Sequence, residues 1–358
     1  MTTTATLDDV DTLRKLDPGR MLASVRGLPE QSSEAWTKAS GLKLPAAYQD
    51  IDRIVVLGMG GSAIAGDLWR VLLQRESDVP VFNVRQYDLP PYVDERTLVI
   101  ASSFSGQTEE VLSAFTQALK KKSPKIVITG GGDLLTMARA NGVPVFTYQY
   151  TGEPRAAIGW SLMPLLAIGE ALGLTNGVER DVNEAITAMS QVVSESAEEV
   201  PEADNGAKQL ARALHDKLPV IYGGGALTEV AHRWKTQLNE SAKTWAFYEE
   251  LPELHHNAVV SYALPTSTAK ETVVIFLESK TLVHPRVRLR YEFTRTALKK
   301  AGVATLSADS EGGSALSQMM SLVLLGDYVS TYLAFLYGDD PTPTTAIDEL
   351  KSWLKQQK

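Results

Sequence analysis

Short apolar runs, each about one β-strand long, alternate along the chain with longer stretches whose apolar positions recur at helical spacing. That is the pattern of a parallel α/β fold. In the first half it predicts strands at Arg53–Leu57, Val81–Val84, Thr97–Ala101, Lys125–Thr129 and Val143–Thr147. Helices are predicted between them, near Ala63–Leu73, Glu109–Lys121 and Asp133–Asn141. The second half repeats the plan: Val220-Ile221-Tyr222 runs into Gly223-Gly224-Gly225 and then a helix from Leu227 to Asn239. A strand at Thr272–Leu277, a helix at Arg286–Ala301 and a short strand at Ala304–Ser307 follow. Two closing helices, Ser314–Tyr337 and Thr345–Lys355, are separated by Asp339-Asp340-Pro341-Thr342-Pro343, whose prolines stop one helix and start the next. Strand, glycine loop and helix recurring in both halves suggests duplication.

The join between the halves falls between Leu174 and Ala207, where the helix Val182–Ala197 is followed by the acidic, proline-containing stretch Glu198–Asn205, which is expected to be solvated. The chain thus divides into domains 1–190 and 191–358, a division its 358 residues suit. Hydrophobic residues at 44% and charged residues at 22% supply ordinary core material. The net charge of −8 disfavours nucleic acid as a partner, and any anionic ligand must be met by locally gathered donors. With no cysteine, disulfides, thiolate catalysis and cysteine-ligated zinc are excluded. The opening residues are polar and of mixed charge, unlike a signal peptide. The longest apolar run, Met319 to Tyr337, is broken by Asp327 and reads as a buried core helix rather than a membrane span. No membrane association and a cytoplasmic location are expected.

Two loops carry the candidate chemistry. Gly58-Met59-Gly60-Gly61-Ser62 follows the first strand, and Ser102-Ser103-Phe104-Ser105-Gly106-Gln107-Thr108 follows the third. Each lies at the carboxyl end of a strand, where open α/β sheets bind ligands. In the first, Gly60, Gly61 and Ser62 open a helix, whose free N–H groups favour an anion. A tight turn without a ligand is the plain alternative. Gly58-x-Gly60 also resembles the start of a dinucleotide fingerprint, but the third glycine comes late, at Gly66, and the second strand ends in Asn83-Val84-Arg85 rather than an acid. In the second loop Ser103, Ser105 and Thr108 place three hydroxyls around Gly106, each able to donate to a phosphate oxygen. Thr108 is also a natural N-cap for the following helix, and Glu109 and Glu110 suit its first turn. Neither loop contains lysine, so a monophosphate fits better than a nucleotide triphosphate.

These loops resemble the phosphosugar loops of sugar-isomerase (SIS) domains, and the whole chain resembles the bifunctional phosphoglucose/phosphomannose isomerases. The likeness continues through Glu153-Pro154-Arg155-Ala156-Ala157, Leu238-Asn239-Glu240-Ser241-Ala242-Lys243 and Pro252-Glu253-Leu254-His255-His256-Asn257. It ends with Asp340-Pro341-Thr342-Pro343 and Ile347-Asp348-Glu349-Leu350-Lys351. Phe104, Gln107 and His255 stand where the family often has Tyr, Asn and Asn. The resemblance implies two SIS-type domains, each a mostly parallel sheet flanked by helices. It also implies an aldose–ketose isomerase of carbohydrate metabolism that joins glucose 6-phosphate and mannose 6-phosphate to fructose 6-phosphate through a cis-enediol, in glycolysis or gluconeogenesis.

By the same resemblance Glu240 is the base that moves the proton between C1 and C2. His256 is the ring-opening histidine, contributed across a homodimer interface. Arg155 stabilises the enediolate, with a surface ion pair to Glu153 as the competing reading. Lys351 contacts the ring oxygen. Thr344 has the spacing of the small threonine associated with mannose tolerance, with Thr342 and Thr345 close enough to compete. Without the resemblance Glu240 and Lys351 would pass for solvated helix residues. The adjoining pair His255-His256 lacks the carboxylate–histidine spacing of a metal site, and neither a metal nor an organic cofactor is implied. Two other readings are a phosphosugar sensor without catalysis, which would need an output domain, and a different SIS-type enzyme such as an amidotransferase's isomerase half or a lyase.

Overall fold

The protein is described here by a computed structural model covering residues 6–357; positions 1–5 and 358, where the two expected domains begin and end, lie outside the described residues. The chain opens with α1 (Val10–Leu16), α2 (Met21–Arg26) and α3 (Leu28–Ala39). Then come β1 (Arg53–Leu57), α4 (Gly60–Leu73), β2 (Val81–Val84), β3 (Thr97–Ser103), α5 (Glu109–Ala118), β4 (Lys125–Thr129), α6 (Gly132–Ala140) and β5 (Val145–Thr147). Three helices follow, α7 (Ile158–Ala171), α8 (Val178–Ser196) and α9 (Gly206–Leu214). The second sheet is built from β6 (Leu218–Gly224), α10 (Leu227–Glu240), β7 (Phe247–Leu251), α11 (Thr266–Glu271), β8 (Thr272–Glu278), α12 (Pro285–Ala301) and β9 (Ala304–Asp309). The chain closes with α13 (Ala315–Leu336) and α14 (Thr345–Leu354).

Two all-parallel sheets result, ordered β2-β1-β3-β4-β5 and β7-β6-β8-β9. Contacts gather the chain into two compact units. The first-sheet unit holds residues 27–189 and 312–320; the second-sheet unit holds 190–311, 321 onward and the described residues up to Arg26. The opening segment therefore groups with the second sheet, where a single cut at 190 assigns it to the first. Side-chain bonds explain this. Asp8 accepts from the Glu202 N–H at 2.7 Å and from the Lys208 ammonium at 3.2 Å, and Arg26 pairs with Glu199 at 3.2 Å.

Strand alternation divides the first core in two. Val55, Leu57, Val99, Ala101 and Val127 share one face, packed with Val111, Ala114 and Phe115 of α5 and Leu134 of α6. The alternate residues Ile54, Val56, Leu98 and Ile100 are equally buried on the other face. There α4 approaches closely enough that a Cβ on Gly66 would lie 3.1 Å from Val56 Cγ1.

In the second unit α10 is clamped to α13. Trp234 donates its indole N–H to the Leu322 carbonyl at 2.7 Å, and the buried Arg233 reaches both Asp327 oxygens at 3.1 Å. Asp327, which interrupts the apolar run, is thus a buried partner for a buried cation. Ala315–Leu336 has the length and apolarity to cross a bilayer, yet 94% of its most apolar window is buried. The stretch Glu198–Asn205 is not simply solvated. Its Glu198 and Val200 carbonyls accept from the fully buried Lys208 ammonium at 2.9 and 2.7 Å, and Asn205 caps α9 by accepting from the Lys208 N–H. A buried ammonium costs several kcal/mol unless it is paired and hydrogen-bonded, so the acidic stretch folds around it.

Candidate active site

In the first sheet the chain leaves β1 for β2 on one side and β3 for β4 on the other, so the connections diverge between β1 and β3. Open parallel sheets form their ligand crevice at such a switch point, beyond the carboxyl ends of the strands. The Gly58–Ser62 and Ser103–Thr108 loops follow these two neighbouring strands, and the fold brings them together there.

The helix α4 begins at Gly60, so Gly60, Gly61 and Ser62 open it as the loop reading expected, although the apolar periodicity begins only near Ala63. Gly60 has φ of +50°, and a Cβ added there would meet nothing within 4 Å. The backbone therefore faces open space with the first N–H groups of α4, which have no carbonyl partner inside the helix.

In the second loop Ser103 and Thr108 share a hydroxyl–hydroxyl bond of 2.9 Å, and Ser103 Oγ accepts from the Gly106 N–H at 3.1 Å. Whichever hydroxyl donates in that pair, one O–H of the two is left for a ligand. Ser105 accepts from the Gln107 N–H at 3.2 Å and keeps its own O–H. Thr108 holds the N-cap position of α5 without capping through its side chain, so its hydroxyl serves the loop instead.

A third loop, Gly130-Gly131-Gly132 after β4, was not read from the sequence, although three consecutive glycines after a strand were the signal available. It braces the second loop: the Gly130 N–H donates to the Phe104 carbonyl at 3.1 Å, and the Leu134 N–H to the Gly106 carbonyl at 3.0 Å. Gly106 has φ of +65°, and a Cβ there would lie 1.8 Å from the Gly131 carbonyl oxygen, so only glycine fits. Here α4, α5 and α6 all begin without a side-chain cap, whereas α1 and α9 are capped by Asp9 and Asn205. The N-termini of α4 and α5, without side-chain caps at one sheet edge, suit an anion, while that of α6 is drawn into the brace through the Leu134 N–H.

Arg155 belongs to this edge. It lies in a 3₁₀ turn, Pro154–Ala156, and a Cβ on Gly61 would lie 3.2 Å from the Pro154 carbonyl oxygen and 3.7 Å from Arg155 Cα. The turn is fastened by Gln31, which donates to the Ala156 carbonyl at 2.9 Å and accepts from the Gly159 N–H at 2.8 Å. Arg155 pairs with Glu153 at 3.2 Å but is itself only 3% exposed, so this is not the surface pair of the competing reading. Asn83 and Arg85, at the end of β2, both bond the buried Asp67 of α4 and so serve packing.

The remaining candidates lie in the second-sheet unit. Glu240 is the last residue of α10. Just beyond it Lys243 donates to the Asp340 carbonyl, tying the end of α10 to the loop before α14. Thr344 holds the N-cap position of α14 without a side-chain bond, and Lys351, two turns on, is exposed and 3.6 Å from Asp348. His256 is exposed in the 3₁₀ turn Glu253–His256, while its neighbour His255 is tied down. Arg290 donates to His255 Nδ1 at 3.1 Å, so Nε2 carries the proton and donates to Thr294 Oγ1 at 2.8 Å. Burial, then the Arg290 charge, then that of His256, hold the His255 pKa below the ordinary histidine value.

Glu240 and His256 are not brought together within one unit. Because β6 and β7 are parallel neighbours, α10 must run back against them, ending at the amino edge of the sheet. His256 follows the carboxyl end of β7, whose five residues span about 16 Å.

Two parallel sheets with glycine-and-hydroxyl loops at a switch point define a protein of the SIS-domain, phosphosugar-isomerase class. Comparison with known proteins agrees. The SIS domain family matches residues 47–140, and the bacterial phospho-glucose isomerase C-terminal SIS domain family matches residues 203–354. Solved structures similar in fold include a hypothetical protein from Thermus thermophilus (TM-score 0.74, 18% identity, covering 98% of this chain and 94% of that one). Another is the C-terminal domain of glucosamine-fructose-6-phosphate aminotransferase from Francisella tularensis (TM-score 0.69, 13% identity, covering 90% and 98%).

Sequence relatives narrow the class. A bifunctional phosphoglucose/phosphomannose isomerase from Caldicellulosiruptor bescii is 41% identical over 94% of this chain and 100% of its own length. One from Aquifex aeolicus is 34% identical over 85% of this chain and 90% of its own. The chain belongs to the family of bifunctional phosphoglucose/phosphomannose isomerases.

Proposed function

We propose that the protein interconverts glucose 6-phosphate and mannose 6-phosphate with fructose 6-phosphate. The observation that carries this reading is the cradle at the β1/β3 switch point, where uncapped helix N-termini and the hydroxyls of Ser103, Ser105 and Thr108 suit a phosphomonoester. Family membership supplies the reaction class.

In this reading His256 takes the proton from the C1 hydroxyl and gives it to the ring oxygen, assisted by Lys351, and the sugar opens. Glu240 removes the C2 proton, the C1 carbonyl oxygen takes up the proton that the C2 hydroxyl gives up, and a cis-enediolate forms. Arg155, a permanent planar donor, stabilises the negative charge that develops on the two oxygens. Glu240 then returns its proton to C1, leaving the carbonyl at C2. Mannose 6-phosphate requires rotation about C2–C3 so that C2 presents its other face, and a small side chain at Thr344 leaves room for that.

The separation of Glu240 and His256 across the second sheet supports a homodimer in which His256 serves the partner's substrate. Exposed apolar side chains at Trp245, Val260, Leu264 and Phe293, and the absence of any buried residue on α14, favour the same arrangement. The expected setting is cytoplasmic carbohydrate metabolism. To test the reading, fructose 6-phosphate would be incubated with the protein and EDTA, and both aldose products followed by NMR. Glu240→Gln should cut turnover by about 10²–10⁴-fold while sugar-phosphate binding persists. Full activity in that variant would sink the mechanism, and intact binding without any turnover in the wild type would favour a sensor.

A further inference from the structure

The second sheet has a switch point of its own. The chain leaves β6 for β7 on one side and β8 for β9 on the other, so the crevice falls between the carboxyl ends of β6 and β8. A cavity of about 460 Å³ lies there, lined by Gly225, Leu251 and Pro252 together with Leu282, His284, Arg286, Val287 and Arg290. Its size falls within the range of small-molecule sites.

The lining is chemically lopsided. Arg286, Arg290 and His284 supply every charged or titratable group, and no carboxylate is among the lining residues. Neither arginine pairs with a carboxylate among the described residues. In a chain of net charge −8 this is a local positive field with apolar walls of Leu251, Leu282 and Val287. Arginine forks match the geometry of phosphate oxygens. His284 Nδ1 accepts from the Arg286 N–H, which orients the ring and leaves Nε2 as a further donor.

We propose that this crevice is a second anion site, distinct from the cradle on the first sheet, which takes the phosphomonoester of a small sugar between Arg286, Arg290 and His284. It is placed to regulate. Arg290 also holds His255, and Pro252 immediately precedes the turn that carries His256. Filling the crevice would therefore act on the segment assigned to ring opening; this regulatory part rests on the functional reading above, whereas the binding itself does not.

The test counts bound glucose 6-phosphate per chain by equilibrium dialysis, with inorganic phosphate as a second probe. The full chain is compared with Arg286→Glu and with Ser103→Ala/Thr108→Val, all checked for unchanged melting. Two ligands are expected on the wild type and one on each variant, with crevice affinity weakened at least tenfold in Arg286→Glu. Competition by phosphate alone would assign recognition to the phosphoryl group, and its failure to compete would require the sugar as well. Two ligands still bound by Arg286→Glu would overturn the proposal. So would a single wild-type ligand that survives in Arg286→Glu. A single ligand lost in Arg286→Glu but kept by the loop variant would uphold the crevice and refute the first-sheet cradle.

Discussion

The glycine loops at the ends of β1 and β6 read alike in sequence, each a strand running through glycines into a helix, yet the space beside their glycines differs. At Gly60 the space beyond the backbone is open. In the second unit a Cβ on Gly223 would lie 2.3 Å from the Leu227 carbonyl oxygen, and one on Gly224 would lie 2.9 Å from Val287 Cγ1 and 3.1 Å from Tyr291 Oη. In the first loop Gly60 leaves open space beside the backbone, while Gly58 and Gly61 make room for the protein's own Ala63 and Pro154. In the second, Gly223 and Gly224 make room for the protein's own α10 and α12. A glycine motif at a strand end therefore announces close approach without saying what approaches, and only the neighbouring side chains decide.

The largest effect should come from Gly106→Ala, which forces a positive φ on alanine and drives its Cβ into the Gly131 carbonyl. A loss of about 3 kcal/mol of stability, by urea denaturation, should accompany near-complete loss of isomerase activity. An unchanged midpoint would mean that the brace between the second and third loops is dispensable.

Next, Gly224→Ala and Gly60→Ala should separate the two loops. The first should lose about 1–3 kcal/mol by overpacking against Val287 and Tyr291 while KM stays constant. The second should lose about 1 kcal/mol and raise KM, because its methyl group enters the open crevice. Equal effects on KM from both variants would abolish the distinction drawn here.

Smaller still, Ser103→Ala should raise KM for fructose 6-phosphate about tenfold, equivalent to one hydrogen bond to a charged group, with kcat less affected.

The smallest effect concerns pH and the second unit. Since the folded pKa of His255 is lowered, folding prefers its neutral form. That contribution is complete above the ordinary histidine value and is lost as pH falls through the lowered one. Thermal melts should therefore show an acid-side decline that is shallower in His255→Asn, whose amide oxygen can still accept from Arg290.

Much of this architecture was legible because parallel strands are buried on both faces and read as continuous apolar runs. Ile54–Leu57 and Lys125–Thr129 are examples. β7 was not, since Phe247-Tyr248-Glu249-Glu250-Leu251 is an edge strand with mostly exposed or half-buried side chains and two acids. α7 was hidden for the opposite reason. Nearly all its residues are buried, so no polar face marks a helical period, and Pro164 sits inside it. Of the site, the hydroxyl loop was readable by composition, but Gln31, which fastens the turn of Arg155 from more than a hundred residues away, left no local trace.

By itself the amino-acid sequence determined the alternation of strands and helices, the positions of the two phosphate-type loops and the family to which they belong. These are local matters, settled by periodicity and by which backbone angles glycine alone permits. Only the tertiary structure decided which glycines face open space and which face the protein's own atoms, and that Thr108 bonds Ser103 rather than capping its helix. It alone placed Glu240 and His256 at opposite edges of one sheet. Those outcomes depend on strand order and on contacts between residues far apart in the chain, and no local pattern encodes them.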